Sequence, residues 1–124
     1  MGTRAFTLVR DADGSVVCDS CRLAATFWAR LRGLLGRGGL ASGEGLLIRR
    51  TGSVHTFFMR FAIDAVFLDR SGTVVKLVSN LRPWRVALAR GARDVLELGA
   101  GEAERRGIRR GDRLEPASEG ARAA

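Results

Sequence analysis

The sequence predicts a mainly β fold: an antiparallel β-sandwich or flattened barrel with two short helices. Three observations lead there. Glycine is abundant, with 16 in 124 residues. Turn signals separate brief apolar runs. The stretch 56–67 alternates along its length, with Phe57, Met59, Phe61, Ile63, Ala65 and Phe67 on one face of an extended chain and Thr56, Phe58, Arg60, Ala62, Asp64 and Val66 on the other.

The elements follow in order. "AFTLVR", "DADG" and "SVV" read as a hairpin, because Asp and Gly supply the turn. In "TFWARLRGLLGRGG" Thr26 is an N-cap, and Phe27, Leu31, Leu34 and Leu35 fall at i, i+4, i+7 and i+8 of one helical stripe. Gly36, Gly38 and Gly39 end that helix. "EGLLIRR" is a short strand. The alternating stretch is long for one strand, so a bend is expected near Arg60 to Ala62. "LDRSGT" turns the chain into "VVKLVS", a second hairpin. Residues 80–93, "NLRPWRVALARGAR", read as an irregular loop, since Pro83 removes a donor and Gly91 breaks any helix. "DVLEL" is a strand, "GEAERRG" a turn or two of helix and "DRLEP" a closing strand. Residues 1–115 form one domain, and 116–124 are expected to be a disordered tail with nothing to bury.

The formal charge of +8 arises from 20 arginines and Lys76 against 13 acidic residues. The arginines are spread along the whole chain, so solvated surface charge is favoured over a dedicated anion site, and nucleic acid is considered as a partner but not favoured. No apolar run approaches the roughly 20 residues of a membrane span. The amino terminus meets charge within a few residues and has no apolar core of a signal peptide, so a cytoplasmic location is expected.

Candidate chemistry concentrates in "SVHTFFMRFAIDAVFLDRSG". His55, Met59, Arg60 and Asp64 suggest a ligand pocket in which the two charges orient a ligand and His55 donates or exchanges a proton. The competing reading is a buried Arg60–Asp64 pair, because a charge inside a core needs a partner. Residues i and i+4 on one strand stand about 13 Å apart, so either reading requires the bend. "RPWR" sets Trp84 between Arg82 and Arg85, a combination that can stack on a base or clamp an anion, or else pins the loop to the core. Cys18 and Cys21 make "CDSC". A redox pair or half a zinc site is weighed against two reduced thiols, and the thiols are favoured, because a zinc site would need His55 and a carboxylate to complete it. "GAGEAERRG" lacks the third glycine of a dinucleotide site. No catalytic residue, metal ligand or cofactor is assigned.

The order of "RLRGLLGR", "GEGLLI", "FFMRFAIDAVFLDRSGTVV" and "VLELGAGEAERRGIRRGDRL", from Cys21 to Glu115, resembles the bacterial and archaeal family called domain of unknown function 192. The resemblance implies a compact, mainly β fold of the jelly-roll or sandwich type and carries no established activity or site residues. Two departures stand out: many relatives look exported, and the family often has proline where this chain has Ala62.

The function expected is that of a small β-sandwich that binds a small molecule or protein partner without catalysis, through His55, Met59, Arg60, Asp64, Arg82, Trp84 and Arg85. The alternatives are an enzyme using His55 and Asp64 as acid–base groups, and a nucleic-acid-associated protein acting through its arginines.

Overall fold

A computed structural model describes residues 5–24 and 38–118. The helix expected from Thr26 and the end of the expected tail lie outside the described residues. Among the described residues nine strands and one short helix follow in order: β1 (Phe6–Arg10), β2 (Val16–Ala24), β3 (Glu44–Arg49), β4 (Ser53–His55), β5 (Ile63–Leu68), β6 (Val74–Leu81), β7 (Val86–Leu88), β8 (Asp94–Gly99), α1 (Glu102–Arg105) and β9 (Leu114–Pro116).

Seven strands form one sheet in the order β6-β5-β8-β3-β2-β1-β9, and β4 and β7 pair as a second, two-stranded sheet. The expected mainly β class holds, with two corrections to its detail. The sheet is mixed, because β2 and β3 run parallel while its other pairs are antiparallel. It also does not close into a barrel, and no jelly roll is seen among the described residues; of the two expected helices, the one in "GEAERRG" is present and the other lies outside those residues. Its two ends nevertheless curl together. An isolated bridge joins Thr73 to Arg113, the Val74 N–H donates to the Asp112 carbonyl at 2.8 Å, and the Leu114 N–H donates to the Gly72 carbonyl at 2.9 Å.

The hairpin turns form as the sequence reads. In the first, the Asp13 carboxylate accepts from the Ser15 N–H at 2.9 Å and hydroxyl at 2.7 Å, and Gly14 sits at positive φ. In the second, Asp69 accepts from the Ser71 and Thr73 N–H groups at 2.9 and 3.0 Å, with Gly72 at φ 87°. Such side-chain acceptors stabilise the turn locally and leave the strands free to pair.

Two apolar clusters lie on opposite faces of the large sheet. The first gathers Leu8, Val66, Leu68, Leu96, Leu98 and Leu114 on the concave side, and the second gathers Val54, Met59, Ile63, Ala65, Phe67 and Val95 beneath the β4–β7 sheet. Strand β5 is buried along its whole length because it contributes alternate residues to both.

Both cysteines enter the first cluster although they are three apart on one strand. The pairing explains this: Phe6 opposes Cys21 and Leu8 opposes Cys18, so β2 carries one extra residue and a bulge turns both thiols to the same side. The thiols are free and buried, and Cys18 donates to the Gly43 carbonyl at 3.4 Å. The hydrogen bond from Cys21 favours the Cys18 thiolate and lowers its pKa against the cost of burial. The same contact, with burial, pushes the Cys21 thiol far up, so Cys21 stays protonated.

Two segments differ from expectation. The bend is wider than expected, covering residues 56–62 between β4 and β5. The expected loop 80–93 contains β7, a three-residue strand too short to show alternation in the sequence.

Candidate functional site: an aromatic surface with arginines

Thr56 builds the site. It is fully buried just after β4, where its hydroxyl donates to the Arg82 carbonyl at 2.6 Å and its Oγ1 accepts from the Arg85 N–H at 2.9 Å. Its own N–H donates to the Arg85 carbonyl at 2.9 Å, and its carbonyl accepts from the N–H groups of Trp84 at 3.0 Å and Met59 at 3.2 Å. One residue therefore fixes the 82–85 loop against the 56–62 bend. A buried polar side chain is retained where its bonds are all made, and this one makes them to loop backbone that has no strand partner.

The loops thus fixed present aromatic rings outward. Phe58 is 65% exposed and Trp84 55% exposed, and their ring centroids lie 4.8 Å apart. Phe57 stacks on Trp84 at 5.7 Å and meets the His55 imidazole at 4.8 Å. His55 Nδ1 accepts from the Phe57 N–H at 3.3 Å. Along β7 the alternation continues: Ala87 faces the second cluster, while Val86 and Leu88 are exposed. Exposed Arg60, Arg82 and Arg85 flank these rings in the chain. The Arg60 and Arg82 side chains have no hydrogen-bond or ion-pair partner among the described residues.

Both exposed aromatics carry backbone strain. Phe58 has φ 68° and Trp84 φ 65°, the left-handed region that a bulky residue avoids at a cost of about 1–3 kcal/mol each.

Of the residues expected at the site, His55, Arg60, Arg82, Trp84 and Arg85 come from this bend, the 82–85 loop and the strand end beside them. Met59 is buried below, in the second cluster. Asp64 faces the other way, toward α1. It is fully buried, with Oδ1 accepting from the Asn80 N–H at 2.9 Å and Oδ2 from the N–H groups of Gly101 at 3.0 Å and Ala103 at 2.9 Å. Asn80, at φ 55°, marks the irregularity where β6 slips against β5. The carboxylate thus joins β5 to that irregularity and to the start of α1. It makes no ion pair with Arg60, which is exposed, and the sheet separates it from His55. Neither the buried charge pair nor the acid–base pair considered from the sequence is assembled.

Sequence reading missed Thr56 and Phe58. The two-residue alternation assigned Phe58 to a strand face, and nothing in the residue pattern marks a threonine that hooks a loop 26 residues away.

A second buried carboxylate is structural. Glu102 accepts from the Gly43 N–H at 3.0 Å, from the Ser42 hydroxyl at 3.2 Å, and from Arg105 Nε and Arg106 Nε at 2.7 and 3.3 Å. Burial pushes its carboxyl up, but the Gly43 N–H, the two guanidiniums and the Ser42 hydroxyl outweigh that and hold it below the ordinary glutamate value of 4.5. A depressed folded-state pKa stabilises the fold above the unfolded value and is lost as pH falls through the folded one. Melting temperature is therefore expected to fall on acidification below about 4.5. In Glu102→Gln it should be lower at neutral pH and should respond less to acid. An equal acid response in the variant would assign the effect to other groups. No group of three or more His, Cys, Asp or Glu placed to hold a metal ion occurs among the described residues.

Comparison with known proteins gives a family and a fold. The family model of domain of unknown function 192, described as an uncharacterized ACR, matches residues 8–116. A UPF0127 protein of Thermococcus sibiricus is 33% identical over 99 residues, covering 76% of this chain and 64% of that protein. The chain thus spans less than two thirds of the length of this curated relative. A crystal structure of a protein of unknown function from Novosphingobium aromaticivorans superposes with a TM-score of 0.75 at 25% identity, over 90% of this chain and 83% of that one. Another, from Sinorhizobium meliloti, named a candidate transcription regulator, gives 0.78 at 28% identity over 94% and 97%. No helix of the described residues is long and apolar enough to cross a membrane.

Proposed function

The chain belongs to the family of domain of unknown function 192, and from that premise, with no activity attached to the family's description, we propose that it is a non-catalytic binding module. Its binding face is the surface of His55, Phe58, Arg60, Trp84 and Arg85, with Arg82 at its margin, Met59 as its buried support and Asp64 as the anchor of the adjoining framework. The observation that carries this reading is the pair Phe58 and Trp84: two exposed aromatics in tilted ring contact, both at positive φ. Strain and apolar exposure each oppose folding, and their coincidence at one surface is the signature of a site kept for a partner.

The chemistry that suits the surface is an aromatic group bearing negative charge. Flat rings offer stacking, and the arginines supply cations and planar donors. The Thr56 bonds hold the 82–85 loop in place before binding, so little ordering is needed on association. A nucleic-acid role is the second reading, supported by the same stacking chemistry and by the name of the Sinorhizobium neighbour.

Trp84 fluorescence, in a Trp28→Phe background, tests both readings. Titration with adenosine monophosphate, a short single-stranded oligodeoxynucleotide and polyglutamate separates a small aromatic anion, nucleic acid and an acidic chain. At least one probe should shift the emission, and Phe58→Ala should abolish that response. Indifference to all three would remove the surface from consideration as an anion site. For Trp84→Gly, lost ring contacts and relieved strain nearly cancel, so stability should stay within about 1 kcal/mol of the parent while calorimetric binding of the active probe disappears. A large fall in melting temperature would instead assign Trp84 to the core.

A further inference from the structure

On the concave side of the large sheet, opposite the aromatic surface, a cavity of about 520 Å³ opens to solvent. Its apolar floor is drawn from five strands, with Phe6 and Leu8 from β1, Leu47 from β3, Leu68 from β5 and Leu114 from β9, together with Leu23 from β2. The first apolar cluster is therefore uncovered at one end, where the curled sheet brings its edges together at Thr73 and Arg113 without filling the space between. The mouth of a curled sheet is a common place for a small-molecule site, and the volume lies within the usual range of about 300–1,000 Å³.

The rim is charged. Arg49 lies 4.0 Å from Asp94, and Arg113 donates to the Ser71 carbonyl at 3.1 Å and lies 3.9 Å from Asp11. Arg70 lines the same cavity from the β5–β6 turn and has no hydrogen-bond or ion-pair partner among the described residues. An apolar floor beside the unpaired Arg70 guanidinium, on a rim that also carries the carboxylates of Asp94 and Glu115, selects a ligand with both properties.

We propose that this cavity binds an amphipathic monoanion, a medium-chain alkyl carboxylate whose tail lies along Leu8, Leu47, Leu68 and Leu114 and whose head meets Arg70. The planar fork of arginine matches a carboxylate in two parallel bonds. The volume suits one alkyl chain. The floor residues alone would hold any apolar molecule, whereas the guanidinium sets the sign of the head group. This site is separate from the aromatic surface and stands or falls independently of it.

Isothermal titration with dodecanoate, below its aggregation concentration, tests the assignment, with dodecyltrimethylammonium as the probe of equal chain length and opposite charge. Dodecanoate should bind with one-to-one stoichiometry and raise the melting temperature, and the cation should do neither. Arg70 is exposed on a turn, so Arg70→Glu should fold normally and weaken dodecanoate roughly tenfold, while Arg90→Glu, the same charge change away from the cavity, should alter it by less than about twofold. Leu47→Trp, which fills the floor, should abolish binding if it folds. Equal binding of cation and anion, no binding of dodecanoate, or equal effects of the two charge reversals would each overturn the proposal.

Discussion

Replacing Asp64 by alanine is expected to destabilise the protein by about 3–5 kcal/mol, read as a lower urea midpoint with an unchanged slope. The argument rests on geometry. The carboxylate is fully buried and satisfies three backbone N–H groups, those of Asn80, Gly101 and Ala103. Alanine would leave all three donors without their acceptor, that of Ala103 in a buried bond and those of Asn80 and Gly101 in part-buried ones, and each buried unsatisfied donor costs about 1–3 kcal/mol. Asn should lose less, because its carbonyl oxygen can still serve one side. The paired control is Arg60→Ala, expected within about 0.5 kcal/mol of the parent because the side chain is exposed. Equal costs for the two would restore a charge pair between them, against the geometry described above.

Gly72→Val should cost about 2–4 kcal/mol, and the loss should be local in its first signs. Gly72 has φ 87°, and a Cβ placed on it would stand 2.6 Å from the Leu114 carbonyl oxygen. Backbone cannot swing aside as a flexible side chain can, so β9 would have to withdraw from the start of β6. Hydrogen exchange should therefore quicken at Val74 and Leu114, whose N–H groups make the seam. Gly14→Ala is the contrast: φ is 71° but nothing lies within 4 Å, so strain alone remains, about 1 kcal/mol. If the two substitutions cost the same, contact at the seam is not what Gly72 protects.

The sequence disclosed much of this fold, for identifiable reasons. Both hairpin turns were legible because Asp, Ser and Gly act within a few residues of each other, and β5 was legible because its apolar run is unbroken. What escaped depended on distance in the chain. Strand β7 exists because β4 pairs with it, with Val54 opposite Ala87, and three residues carry no period of their own. The role of Asp64 is set by amides 16, 37 and 39 residues away. Its charge pointed to Arg60, the nearest opposite charge in the sequence, whereas its partners are those amides. The two cysteines showed the same limit, since one bulge decides whether residues three apart share a face. At the candidate site, Trp84 between two arginines was recognisable as a cluster of chemistry. The exposure and strain of Phe58 were not, because they follow from how Thr56 ties two loops together.

The pairing of β1 with β9 has a consequence for how the molecule is made. Val9 opposes Glu115, and the side chain of Arg10 reaches Asp112, 102 residues further along the chain, as well as the carbonyls of Arg106 and Gly107. Strand β1 therefore waits for β9 before its second edge is covered. Until then that edge, together with the leucines of the concave face, is open to any neighbouring chain. Contacts so remote in sequence bear the full entropy of loop closure before they return any stability, which places this fold among slow folders for its size. Emergence of the nascent chain and acquisition of the native state are thus separate events here, and the interval between them is when the protein most needs protection from association.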